Sequence, residues 1–197
     1  ILGGEYMQKT DRWAAMVDEN IATVSKAVGD IPETEKPIVY YIQGQSNQGL
    51  YTTFRGDSIM NDWTTYAGGR FASKLLNLTG GTVTPEEILT LNPDVVIIGG
   101  PAQHELYEEL MAAEEWTDIK AVKNGRVYTN PNGLFPWERF GMESALQILW
   151  ATSVIHPELF QIDMVRTTQE FYKDFVGIEL TAAQAQNMLN GYGPDGK

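Results

Sequence analysis

Three arginines, four aromatic rings and one histidine stand where a ligand could use them: Arg55, Arg70 and Arg139; Tyr51, Phe54, Phe135 and Trp137; and His104. A guanidinium presents a planar fork of donors that matches carboxylate, catecholate or hydroxamate oxygens. Arg55 and Arg139 fall in predicted strand-exit loops, while Arg70 follows Gly68-Gly69 and is less well placed. Each reads equally as an ordinary solvated arginine. The four rings share those two loops, and partly apolar ligands are held by such walls with a few placed polar groups. Rings that merely cover a core edge would look the same, and Trp137 is the best candidate among them. Trp13, Trp63, Trp116 and Trp150 lie on apolar stripes and read as packing.

His104 follows the GGPAQ loop and can ligate iron or haem, alone or with Tyr51, although a single histidine beside a helix start is more often structural. Two histidines cannot build a three-His site for zinc or manganese. His156, in the IHPELF turn, reads as a helix C-terminal cap. The paired carboxylates Glu86-Glu87 and Glu114-Glu115 read as solvated turns. Neither a G-x-S-x-G elbow, a P-loop nor a G-x-G-x-x-G fingerprint is present, and no cofactor is implied. Cysteine is absent, which removes disulfides, thiolate metal sites and Cys nucleophiles. With 14 basic against 26 acidic residues and a net charge of −12, the chain lacks the basic stripe that nucleic acid requires. An anionic ligand would need local arginines to overcome that field.

The elements that must position these groups follow from periodicity. From about Glu5 to Val28, Trp13, Val17, Ile21, Val24 and Val28 recur at helical spacing. The segment 29–37 is a linker, and Pro37 leads into IVYYI, a buried strand. Asp57 or Ser58 caps a helix carrying Ile59, Met60, Trp63 and Tyr66, and GRFASKLLNLTGG reads as a short helix or insertion. Thr84-Pro85-Glu86-Glu87 is a capping box that opens EEILTL and leads into the strand PDVVIIGG. A helix around His104–Ala113, a helical turn at 116–122 and a third strand, GRVYTN, follow. Three more helices are expected: one from about Gly141, one capped by Asp163, and one boxed by Thr181 and Gln184. Strands separated by helices predict an α/β three-layer sandwich with a mostly parallel sheet, preceded by a long connecting helix. Ligands of such sheets gather at the strands' carboxyl ends, here loops 43–56, 99–104 and 130–139. No apolar stretch approaches the roughly 20 residues of a membrane helix. The chain opens on Ile without a signal pattern, which reads as a removed leader or a cut from a longer protein.

Three pieces in order, LNPDVVIIGG, AVKNGRVYTNP and WERFGMES, resemble the C-terminal lobe of extracytoplasmic substrate-binding proteins of ABC importers. The likeness is to the helical-backbone class that takes up ferric siderophores, haem and cobalamin. Each motif is short, and their order and spacing carry the match. The resemblance implies residues 1–30 as an inter-lobe connecting helix and 31–197 as a C-terminal ligand-binding lobe, with the N-terminal lobe of the same protein missing. It implies a ligand of iron-chelate or cobalamin type held by the arginines and aromatics above. A membrane permease would be the partner, and the protein would be periplasmic or tethered outside the membrane as a lipoprotein. An acidic docking residue would engage permease arginines: Glu138 first, Glu143 as fallback. Acidic residues in a helix's first turn are also favoured by roughly 0.3–1 kcal/mol without any partner. The alternatives are a small α/β enzyme domain of chelatase-like or nucleotide-binding type, and a lobe recruited for sensing or scaffolding.

Overall fold

The computed structural model describes residues 3–45, 49–139 and 141–197; Ile1 and Leu2 of the opening segment and residues 46–48 of the first predicted loop lie outside them. Helix α1 spans Gly4–Val28, and its apolar line deepens along its length until Val24 and Val28 are fully buried. A 3-10 turn at Glu33–Glu35 interrupts the linker before strand β1, Ile38–Gln43. Helix α2 (Ile59–Tyr66) ends at Gly68, whose φ of 78° suits a residue without Cβ. Then come β2 (Arg70–Phe71), α3 (Ala72–Leu75), α4 (Pro85–Leu91) and β3 (Val95–Gly99). The second half holds α5 (Gln103–Ala112), α6 (Lys120–Lys123), β4 (Val127–Thr129), α7 (Ser144–Ile155), α8 (Met164–Phe171) and α9 (Ala182–Leu189). A π-helical stretch, Tyr172–Val176, ends α8. Both capping boxes form: Thr84 with Glu87 and Thr181 with Gln184 exchange side-chain and backbone bonds at their helix starts.

Among the described residues four strands form one all-parallel sheet in the order β2-β1-β3-β4. Their period-2 alternation builds two cores. Val39, Tyr41, Val95 and Ile97 face α1, α2, α7, α8 and α9. Tyr40, Ile42, Val96 and Ile98 face α3, α4, α5 and α6. The result is the three-layer α/β sandwich with a long leading helix. Burying each such Val or Ile contributes roughly 1.5–3 kcal/mol, so the register of β1 against β3, with Tyr41 opposite Ile97, is strongly specified.

The segment around Arg70 departs from expectation. The sequence predicts a short helix or insertion, yet Arg70 and Phe71 pair with the amino end of β1, Ile38 opposite Arg70. Two residues are too few to show an alternation, and only the pairing with β1 creates the strand. Helix α1 is more than a spacer: Trp13 Nε1 donates to the Met142 carbonyl at 2.9 Å and Asn20 Nδ2 to the Ala145 carbonyl at 2.7 Å. From Trp13 onward the helix therefore belongs to this core, while Tyr6 and Met7 in its opening turns stand exposed.

Candidate ligand-binding site

The carboxyl ends of β1 and β3 approach closely because Gly44 follows β1 and Gly99 ends β3. Gly44 N donates to the Gly99 carbonyl, and a Cβ on Gly44 would collide with that same oxygen. Gly100, at φ 95°, then turns the chain into α5. Beyond these ends the loops after β3 and β4 enclose a depression of about 460 Å³, lined by His104, Asn132, Leu134, Phe135, Tyr192 and Lys197 among others.

Beneath it lies a hydrogen-bonded network that spans the sheet. The Tyr41 hydroxyl, rising from β1, donates to Glu138 Oε1 at 2.9 Å, and Asn130 Nδ2 donates to Glu138 Oε2 at 2.8 Å. Gln147 Nε2, from α7, donates to Asn130 Oδ1 at 2.8 Å. Gln103, from the start of α5, accepts from Asn130 N at 3.0 Å and donates to the Gly191 carbonyl at 2.7 Å. Burial pushes the Glu138 carboxyl above its ordinary range; the donors, with Arg139 Nε 3.5 Å away, pull it back. Burial and the neighbouring carboxylate push the Tyr41 hydroxyl well up, so it stays a donor. Glu143 holds the rim of the same loop: its Oε1 accepts from Leu134 N at 2.8 Å and from the Tyr172 hydroxyl at 2.6 Å.

The sequence-predicted residues divide. His104 and Phe135 gather at this depression, Phe135 47% exposed on its rim; Arg139 does not line it but pairs with the lining residue Glu138, its side chain 35% exposed. His104 stacks on Tyr192 with ring centroids 3.9 Å apart, and its Nε2 lies 3.3 Å from the Gly191 carbonyl. Five others lie elsewhere. Trp137 is not a wall but core, with no exposed surface, because its ring turns inward beneath the loop among the α7 and α8 side chains. Arg70 lies at the opposite end of the sheet, its Nε donating to the Lys36 carbonyl at 2.9 Å. Tyr51 packs against Trp116 on the α5 face, centroids 5.8 Å apart, and Phe54 against Tyr41 at 5.7 Å. Arg55 is exposed and pairs with Asp57 at 3.2 Å. Both expected docking acids are turned inward, Glu138 and Glu143 each 1% exposed.

Sequence reasoning missed Tyr41, Gln103, Asn130 and Gln147. One signal was present: a tyrosine inside the apolar run IVYYI must find a partner for its hydroxyl. His156 caps α7 as expected and places Nε2 3.0 Å from the Gly68 carbonyl. Among the described residues no three His, Cys, Asp or Glu side chains cluster as metal ligands, and no helix is long and apolar enough to cross a membrane.

This architecture, a parallel sheet with a loop-lined depression at its carboxyl edge and a long helix laid along one side, defines a family. The chain belongs to the periplasmic binding protein family, whose model matches residues 2–134. A periplasmic solute binding protein from Veillonella parvula DSM 2008 superposes with a TM-score of 0.75 at 26% identity, covering 91% of this chain and 54% of that one. The ABC transporter solute binding protein from Sulfurospirillum deleyianum DSM 6946 gives 0.76 at 25% identity, over 88% and 54%. The molybdate-binding MolA of Haemophilus influenzae, solved with molybdate, gives 0.74 over 90% and 53%; its 19% identity speaks for the fold alone. The chain thus spans about half the length of these solved proteins. No curated protein matches it.

Proposed function

We propose that this chain is the C-terminal lobe, with its connecting helix, of the extracytoplasmic substrate-binding component of an ABC importer, and that it is a carrier rather than an enzyme. It captures an iron chelate, a ferric siderophore before haem or cobalamin, and delivers it to the membrane permease. The supporting observation is the depression at the carboxyl ends of β3 and β4. It pairs an aromatic rim (Phe135, and Tyr192 stacked on His104) with the cationic Lys197, and with Arg139 held against the lining residue Glu138, over a floor in which the Glu138 carboxylate is already bound by Tyr41 and Asn130. Such a floor orients without reacting, which suits a reversible binder. The residues proposed to touch ligand are His104, Phe135 and Arg139, joined by Leu134, Tyr192 and Lys197. Arg139 provides the donors for chelate oxygens; Glu138 holds the loop beneath it instead of docking the permease.

The second jaw of the clamp is the N-terminal lobe of the same protein, reached through the exposed first turns of α1. Leu134, Phe135 and Met142, all exposed at this end, form the face it covers. Calorimetric titration of the two-lobe protein with ferric catecholate and hydroxamate chelates, haem, cobalamin and molybdate tests the reading. A ferric chelate should bind, and Phe135→Ala or Arg139→Ala should weaken it about tenfold, the equivalent of roughly 1.4 kcal/mol. Binding of molybdate alone, indifferent to Phe135, would replace the chelate with an oxyanion. Turnover of any of these compounds would overturn the carrier reading.

A further inference from the structure

The chain contains three Asn-Gly pairs, Asn124-Gly125, Asn132-Gly133 and Asn190-Gly191, and folding treats them differently. At Asn124 and Asn190 the backbone sits at helix ends with ψ of 5° and 9°, which turns the next amide away from the asparagine's own side chain. In both, that amide is engaged by a backbone carbonyl: Gly125 N donates to Val122 at 3.1 Å, and Gly191 N to Met188 at 3.0 Å. The Asn190 side chain is held as well, Oδ1 accepting from Gln186 Nε2 at 2.9 Å. At the middle pair the amide has a different acceptor. Gly133 N points at its neighbour's side chain and donates to Asn132 Oδ1 at 3.0 Å.

We infer that Asn132, on the wall of the depression, is a built-in site of self-modification by deamidation, favoured by the fold over the other two pairs. The Gly133 nitrogen is held beside the Asn132 side-chain carbonyl by that hydrogen bond, so loss of the amide proton and a side-chain rotation are what attack on Cγ requires. The new bond joins Gly133 N to Asn132 Cγ; the Cγ–Nδ2 bond breaks, and ammonia leaves with the proton given up by the Gly133 amide. Water then opens the five-membered imide at either carbonyl, yielding aspartate or isoaspartate. Surrounding contacts hold the pair in place: Asn132 N donates to the Met188 carbonyl at 3.0 Å, and Leu134 N to Glu143 Oε1 at 2.8 Å. A Cβ on Gly133 would collide with the Tyr172 hydroxyl, so the glycine that makes the attack possible is also required by packing. The product places a carboxylate on a wall shared with His104 and Lys197. The inference is independent of which ligand the depression takes.

The test is peptide mass spectrometry of the purified protein aged at mildly alkaline pH, native and in urea, reading acid formation at positions 124, 132 and 190. In urea the three pairs differ only by their sequence neighbours. On folding, conversion at Asn132 relative to each of the other two should rise several-fold, with isoaspartate present among the products. Asn132→Gln should abolish conversion at that position and leave the other two unchanged. A ratio that stays level or falls on folding, with Asn124 or Asn190 converting ahead of Asn132, would overturn the assignment. So would aspartate at position 132 with no isoaspartate, because direct hydrolysis bypasses the imide.

Discussion

Glu138 shows how one buried carboxylate can organise a loop. Its two oxygens take donors from a strand (Tyr41) and from the loop after another strand (Asn130), so the sheet and the third loop are joined through a single side chain. Removing it leaves the buried Tyr41 hydroxyl and one of the two Asn130 Nδ2 protons without an acceptor, and unsatisfied buried groups cost more than the lost bonds themselves contribute. Glu138→Ala is therefore expected to destabilise the protein by about 2–3 kcal/mol, read by urea denaturation; a loss within the error of the extrapolation would show the network to be dispensable. His156 sets a pH dependence. Burial, helped by Arg126 and Lys36 and opposed by the Gly68 carbonyl, holds its imidazole below the ordinary 6.5. Between that lowered value and 6.5 the unfolded chain binds the extra proton, so stability rises with pH there. The contribution is complete above pH 6.5 and is lost as pH falls through the folded value. His156→Gln should flatten this part of the stability profile, and a slope that survives the substitution would assign it to another group.

At the level of helices and strands, contacts between chain ends decide the geometry. Gly99 ends β3 directly against the Tyr41 hydroxyl, and an added Cβ would collide with it. Gly99→Ala should therefore cost about 1–3 kcal/mol by overpacking and also displace Tyr41 from Glu138. The tyrosine near-ultraviolet signal should change along with the midpoint; a stable variant with an unaltered spectrum would mean that the strand end yields freely. Arg126, just ahead of β4, closes the other end of the molecule. Its Nη2 donates to the Val154 and Ile155 carbonyls at 2.9 and 2.7 Å, where α7 leaves carbonyls unpaired. Replacing it with Met keeps the apolar stem and removes the cap, at an expected cost of about 1–2 kcal/mol. Thermal unfolding of Arg126→Met beside Arg126→Lys would separate loss of the donor fork from loss of charge.

For the whole molecule, the distribution of exposed apolar surface matters more than the net charge. Leu134 is 62% exposed, and Phe135 and Met142 join it at the carboxyl edge, near which the opening turns of α1 carry Tyr6 and Met7. Contiguous exposed apolar side chains such as Leu134 and Phe135 favour a covered face. On the two-lobe reading, this chain alone should bind a hydrophobic dye that the protein carrying both lobes excludes. Leu134→Glu should abolish the dye signal in the single lobe. Equal dye binding by the two forms would place the second lobe elsewhere.

The long helix, the strands IVYYI and VVIIG, both capping boxes and the sandwich order were legible from residue order, because each rests on periodicity or on bonds between residues three or four apart. Sequence order likewise placed His104 and Phe135 at strand exits, where the depression forms. It did not reveal that Trp137 turns into the core, that Arg70–Phe71 pairs with β1, or that Glu138 faces Tyr41 across 97 positions. Those outcomes depend on partners distant in the chain. A ring or a carboxylate in a loop has no local preference for facing inward or outward, and its direction is settled when the loop closes over a formed core.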